Sequence, residues 1–179
     1  MTNLKQQYQK EIIPALQEKF GYKNVMAIPK ISKAIINVGI GRIVKEDKKI
    51  EHIISDIAKI TGQKPVTRKA KKSIAGFKVR EGMDSGLVVT LRGKRMYDFI
   101  ERLIRTALPR SRDFRGLKPS SLDGWGNLNI GIKEHMIFPE VSYESAKDIF
   151  GFQVTIVSTA KNKEEALELF KLLGLPFAK

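Results

Sequence analysis

The chain has 179 residues, 42% hydrophobic and 29% charged, with no cysteine and a formal net charge of +14. Its length suits one domain with a sizeable core, and the absence of cysteine excludes a disulfide framework, a thiolate metal site and a cysteine nucleophile, which fits a reducing compartment. No apolar run is long enough to span a bilayer and the opening M-T-N-L-K-Q-Q-Y lacks the apolar stretch of a secretory signal, so the sequence predicts a cytosolic protein.

Leu4, Tyr8, Ile12, Leu16 and Phe20 recur at a spacing of four and predict a helix over 4–20. Pro14 predicts a kink or restart within it, and Gly21 stops it. Over 31–41, Ala34, Ile36, Val38 and Ile40 alternate with Lys33, Ile35, Asn37 and Gly39, the pattern of a strand with one face in the core. The second face reads either as plain solvent surface or as a surface that a nucleic-acid backbone can approach, with Gly39 giving clearance and Asn37 giving donors. Asp47 reads as the N-cap of a helix over 48–61, striped with Ile50, Ile53, Ile54, Ile57 and Ile60 and ended by Gly62. A short strand at 65–68 leads into a basic loop reaching about Gly86. Leu87, Val89 and Leu91 then alternate with Val88, Thr90 and Arg92 in another strand. Gly93 opens a helix with Met96, Phe99, Ile100, Leu103, Ile104 and Ala107 inward, closed by Pro109.

Residues 109–126 form a long loop of the kind that is usually functional or disordered. Leu128, Ile130 and Ile132 oppose Asn129, Gly131 and Lys133 in a strand over 127–133. A weak helical turn is expected near 145–149, and a β-branched strand at 152–159. Asn162 with Glu165 resembles a capping box before a last helix over 166–173. The order of elements predicts a single-domain, two-layer α+β fold over 1–179, with a mainly antiparallel sheet of about five strands carrying helices on one face.

The charge is concentrated. Residues 64–118 hold 16 basic and 5 acidic side chains, whereas 119–179 hold 6 and 8. Crowding of this kind is self-repelling in the folded state and points to a polyanionic partner. A membrane surface would call for a basic amphipathic helix, but these cations lie mainly in Gly- and Pro-punctuated loops. The densest stretch, Lys64 to Arg80, carries Lys64, Arg68, Lys69, Lys71, Lys72, Lys78 and Arg80 around an apolar knot, Ile74-Ala75-Gly76-Phe77. It reads either as a solvated loop whose Ile74 and Phe77 fold back onto the body or as a phosphate-binding loop with an apolar contact point.

Catalytic signals are missing. His52 and His135 are 83 residues apart, no pair sits at metal-ligand spacing, and no nucleophile elbow or phosphate-binding loop motif occurs. N-V-G-I-G-R at 37–42 holds only a lone G-x-G, and the acids are scattered. The sequence therefore predicts a non-enzymatic protein without cofactor, metal, membrane or small-molecule substrate. Lys33, Asn37, Thr90, Arg92, Asn129 and Lys133 would line the uncovered face of the sheet. That face lacks the exposed aromatics with which an RNA-recognition motif stacks single-stranded bases, so recognition of folded RNA by shape and backbone is expected. Phe77, Phe114 and Trp125 are loop aromatics that either stack on bases or anchor their loops. An RNA-processing enzyme and a general RNA chaperone are the alternatives.

The segments I-P-K-I-S-K-A-I-I-N-V-G-I-G, T-G-Q-K-P-V-T-R-K-A-K-K-S-I-A-G-F-K-V-R-E-G-M, L-P-R-S-R-D-F-R-G and I-K-E-H-M-I-F-P-E-V, with the ending L-L-G-L-P-F, resemble the bacterial large-subunit ribosomal protein five family, the 5S-rRNA-binding protein of the central protuberance. The resemblance implies a five-stranded sheet whose open face and adjacent loops hold 5S rRNA through Lys33, Asn37, Gly39, Gln63, Lys64, Thr67, Arg68, Thr90 and Arg92. It implies that the loop with Lys71, Lys72, Ser73, Ile74, Gly76, Phe77, Lys78 and Arg80 projects toward the tRNA in the peptidyl site. It further implies an inter-subunit bridge to a small-subunit head protein through Arg110, Arg112, Arg115 and Lys118. Large-subunit rRNA and neighbouring 5S-binding ribosomal proteins would be its other partners, and the ribosome in the cytoplasm its location.

Overall fold

A computed structural model describes residues 3–41, 43, 46–77, 79–112, 114–141 and 149–178. Lys78 and most of the turn expected near 145–149 lie outside the described residues. Helix α1 covers residues 4–20, and the spacing-of-four residues Leu4, Tyr8, Ile12 and Leu16 are all buried. It passes Pro14 by widening into a π turn over Tyr8–Ile12, where the Ile13 N–H donates to the Tyr8 carbonyl five residues back. Proline has no N–H and its ring crowds the carbonyl four residues earlier, so a locally wider turn lets the helix continue.

The same device recurs in a later helix. Strand β1 is Ile31–Gly39, helix α2 is Asp47–Thr61, β2 is Val66–Lys69 and β3 is Asp84–Leu91. Helix α3 then covers 93–110, with a π turn over Leu103–Ala107 whose Leu108 N–H donates to Leu103 O. Pro109 therefore does not close this helix, as its sequence suggested; it sits in the first turn after the π turn, and the helix runs on to Arg110. Two capping expectations also change. Asp47 lies inside the first turn of α2, with Glu46 as an N-cap whose side chain makes no capping bond and pairs instead with Lys49 at 2.6 Å. Ahead of helix α4, Lys163–Leu172, the Asn162 side chain makes no capping bond; Glu165 instead accepts the Lys161 N–H at 3.1 Å.

Strand β4, Leu128–Ile132, and β5, Phe152–Ser158, complete one five-stranded sheet of order β2-β3-β1-β5-β4 with every pairing antiparallel. Alternation decides its two faces. Ala34, Ile36, Val38, Leu87, Val89, Leu91, Ile130, Val154 and Ile156 turn to one side and are buried. There they meet Ile53, Ile57 and Ile60 of α2, Phe99, Ile100 and Leu103 of α3, and Leu169 and Phe170 of α4, in one core. Burial of this apolar layer is the main stabilising term, at roughly 1.5–3 kcal/mol for each large side chain. Phe138, fully buried, ties the segment after β4 into that layer by stacking on Phe99 at 5.9 Å.

The loop that leads to β4 is built rather than loose. Leu117 pairs in parallel with Phe177, its N–H donating to Pro176 O at 2.7 Å and its carbonyl accepting from the Ala178 N–H at 2.9 Å. Gly116 has φ +99°, and a Cβ there would lie 2.7 Å from the Ala178 nitrogen, so the C-terminal tail can dock only where residue 116 has no side chain.

Candidate nucleic-acid interface

Registers place one row of residues across all five strands on the side away from the helices: Val66, Val88, Asn37, Gln153 and Gly131. A second row holds Thr90, Ile35, Thr155 and Asn129. Arg68, Gly86 and Gly39 form a third across three strands, and Lys33 pairs with Val157. Apart from Gly86, all of these residues are exposed or half-buried. None is aromatic.

The chemistry of the face is that of donors on a pleated floor. Asn129 Oδ1 accepts from Thr155 Oγ1 at 2.8 Å and from Gln153 Nε2 at 3.2 Å. Its carbonyl oxygen is thereby occupied, and its NH₂ supplies the remaining donors. Gly39 and Gly131 have nothing within 4 Å of where a Cβ would stand, so the backbone there is open to close approach. Donors of this kind, set on a floor with low relief, match sugar and phosphate oxygens and carry no means of stacking bases.

Several predicted residues join this face and others do not. Lys33, Asn37, Gly39, Arg68 and Thr90 share it. Thr67 pairs with Leu87, whose side chain is in the core, so the pleat turns Thr67 toward the helix side. Gln63 is half-buried and its Nε2 donates to Thr90 O at 3.5 Å, tying the end of α2 to β3. Lys64 and Arg92 are exposed at strand ends. Gln153, Thr155, Val66 and Val88 were not singled out from the sequence. The alternation of Gln153, Thr155 and Val157 against buried Phe152, Val154 and Ile156 was the signal for two of them.

Two basic loops border the face. Between β2 and β3 the chain extends as a narrowed hairpin. Ile74 and Val79 exchange backbone hydrogen bonds at 2.9 and 3.2 Å around a 3-10 turn at Ala75–Phe77. Ala70 N–H donates to Met83 O at 2.8 Å, and the Ser73 hydroxyl oxygen accepts the Glu81 N–H at 2.9 Å. Lys71, Lys72, Ser73, Ile74, Gly76 and Arg80 are exposed, and Ile74 is 50% exposed. At the opposite edge Arg110, Arg112, Arg115 and Lys118 are also exposed. Arg112, Arg115 and Lys118 line a groove of about 480 Å³ together with Gly131 and Lys133, so the cations of the long loop adjoin the β4 end of the five-strand row. Phe114 is half-buried against the core, an anchor for that loop.

The histidines carry no such role. His52 is exposed on α2. His135 is fully buried, its ring stacked on Phe150 at 4.0 Å and its Nδ1 accepting the Phe150 N–H at 3.4 Å. Burial pushes its pKa down, more than the Asp56 carboxylate, 3.7 Å from Nε2, pushes it up. Among the described residues no group of three or more His, Cys, Asp or Glu side chains is placed to hold a metal, and no helix is long and apolar enough to cross a membrane.

Family models match in two parts: one described as ribosomal protein L5 over residues 24–80, and one described as the C-terminus of the same ribosomal family over 84–177. The chain belongs to the ribosomal protein L5 family. It is therefore a structural, non-enzymatic ribosomal protein of the translation machinery. The boundary between the two matched parts falls between β2 and β3, which are paired strands of the same sheet. Among curated relatives, the large ribosomal subunit protein uL5 of Symbiobacterium thermophilum is 55% identical over 178 residues, covering 99% of both chains. Those of Thermoanaerobacter sp. and Halothermothrix orenii are 52% and 51% identical, covering 100% and 99% of both chains respectively.

Proposed function

We propose that this L5-family protein is a structural constituent of the large ribosomal subunit in the cytoplasm, where its single domain binds 5S rRNA and helps attach it to large-subunit rRNA. The observation that carries the reading is the row of residues crossing all five strands on the side away from the core, donor-bearing at Asn37 and Gln153 and open at Gly131. Lys33, Arg68 and Arg92 supply phosphate neutralisation around the donors, and Gly39 lets the backbone in.

The β2–β3 hairpin, with Lys71, Lys72, Ile74 and Arg80, reaches a second RNA, the tRNA in the peptidyl site. The cations Arg110, Arg112, Arg115 and Lys118 serve the bridge to a small-subunit head protein, and neighbouring 5S-binding ribosomal proteins complete the assembly. Support for these finer assignments is the exposure of both basic loops and their separation at opposite edges of one sheet.

The test is a titration of the purified protein with 5S rRNA and with an unrelated structured RNA of equal length across a salt series. Six to ten phosphate contacts make 5S affinity fall by about 10³ to 10⁵ between 50 and 200 mM salt. A flat salt dependence removes the phosphate mechanism. Equal affinity for the two RNAs makes the protein a general RNA chaperone instead.

A further inference from the structure

The chain's only tryptophan, Trp125, is 80% exposed. It stands at the tip of a turn, Asp123 to Asn127, that is bonded far more densely than its length requires. Asp123 Oδ1 accepts the Trp125 N–H at 2.9 Å and the Asn127 N–H at 2.8 Å, and Asn127 Nδ2 donates to Asp123 Oδ2 at 2.8 Å. The Asp123 N–H closes the turn on Asn127 O at 2.9 Å. Burial opposes ionisation of Asp123, yet these hydrogen bonds outweigh it and hold the carboxyl below its usual pKa. The turn is also pinned to the body. Ser158 Oγ donates to Gly126 O at 2.7 Å, and a Cβ on Gly126 would lie 3.0 Å from Ala166 Cβ and 3.2 Å from Ala160 Cβ. A large apolar ring is thus held in water on a fixed mount, flanked by Gly124 and Gly126, which have no side chains to cover it.

Charges of both signs stand near the turn: Asp123 lies within it and Glu164 and Glu165 open α4 next to Ala166, while exposed cations lie at the same end of the sheet. The Thr159 N–H, next to Ala160, donates to Lys30 O at 2.9 Å, and the Lys30 N–H donates back to Thr159 Oγ1 at 3.0 Å. Lys30 and Lys161 are exposed at this end of the sheet, where β1 begins with Lys33 near its start and β3 ends before Arg92. None of these four cations forms an ion pair among the described residues. A protein-docking tryptophan is ordinarily ringed by apolar contacts that exclude water. This one has a glycine on either side and exposed lysines at the same end of the sheet, a setting in which an aromatic face can meet a nucleobase and cations its phosphate.

We propose that Trp125 stacks on an unpaired base of the RNA bound by the open face. The contact extends recognition from backbone and shape at the sheet centre to a splayed base at its rim, and it rests on the RNA-binding reading above.

The test uses the full chain and 5S rRNA, with binding followed by filter retention and, separately, by tryptophan emission. The expected result is quenched emission on binding, with Trp125→Ala losing about five- to 150-fold in affinity, the range of one base–aromatic stack. Trp125→Phe restores most of the loss and Trp125→Leu does not, because leucine keeps apolar area without a flat π face. Retained affinity in Trp125→Ala, or equal rescue by leucine and phenylalanine, overturns the proposal while 5S binding itself stands. Emission that shifts only in whole large subunits and not on 5S rRNA assigns the ring to another neighbour and overturns it too. Failure of the wild-type chain to retain 5S rRNA removes the RNA-binding reading and the stack together.

Discussion

Replacing Gly39 with valine separates folding from RNA contact. Gly39 ends the exposed side of β1, pairs with Gly86 and has nothing within 4 Å of its missing Cβ. A Cβ added there meets no atom of the described residues within 4 Å. Glycine in a strand is destabilising by roughly 0.5–1 kcal/mol because it loses more conformational freedom on folding, and β-branched residues suit strands. Gly39→Val should therefore gain up to about 1 kcal/mol, a rise of about 2–4 °C in Tm for a chain of this size. The same methyl groups hold a phosphate away from the strand and break the charge-assisted hydrogen bonds behind it, worth about 1.5–3 kcal/mol each. The affinity for 5S rRNA should fall at least about tenfold. Differential scanning fluorimetry and filter binding on one preparation check both halves. A variant with raised Tm and unchanged affinity refutes the use of Gly39 as clearance. Gly86 offers the contrast, since a Cβ there lies 3.1 Å from Val38 O, and Gly86→Val should lose stability.

The two basic regions should separate in function. Lys71→Ala with Lys72→Ala is expected to leave 5S binding within about threefold of wild type, as these exposed side chains lie beyond β2 on the hairpin. The same pair should weaken peptidyl-site tRNA retention on reconstituted ribosomes, and equal losses in both assays would merge the two sites into one. His135 gives a pH dependence with a defined sign. Its folded pKa lies below the unfolded value near 6.5, so its contribution is complete above that value and is lost as pH falls toward the folded pKa. Within that window the slope reaches about 1.4 kcal/mol per pH unit. His135→Gln should be less stable at neutral pH but show a flatter dependence of Tm between pH 7 and 5; an unchanged slope would exclude His135 as the titrating group.

Much of this was legible in the chain because the signals are periodic and local. The alternation at Ala34, Ile36 and Val38 fixes which side of β1 is buried, whatever surrounds it. The stripe from Ile50 to Ile60 does the same for α2. The prolines were harder. Pro14 and Pro109 have the same local chemistry, yet they suggested a kink or restart in one helix, where Pro14 does sit in the first turn of the resumed α-helix, and a stop in the other. Both lie in continuing helices, since each follows a π turn held by the packing of buried neighbours such as Ile12 and Ala107. Asn162 looked like a capping side chain, but cap bonds depend on rotamers that residue spacing does not specify.

By itself, the sequence determined the fold class, the sidedness of the strands, the concentration of charge in the middle third and the family, because these follow from composition, period and motif. Only the tertiary structure decided which side chains meet. Asn37, Gln153 and Gly131 are far apart in the chain and become one row through strand register, which is a property of pairing. Register also decided which of two neighbours shares a face with that row: Thr67 pairs with core-facing Leu87 and turns to the helix side, which leaves Arg68 on the other. His135, which reads as a loop residue, became a buried one because Phe150 and Asp56 close over it. Trp125 became an exposed ring on a pinned turn because Ser158, distant in the chain, anchors the local Asp123–Asn127 turn to β5.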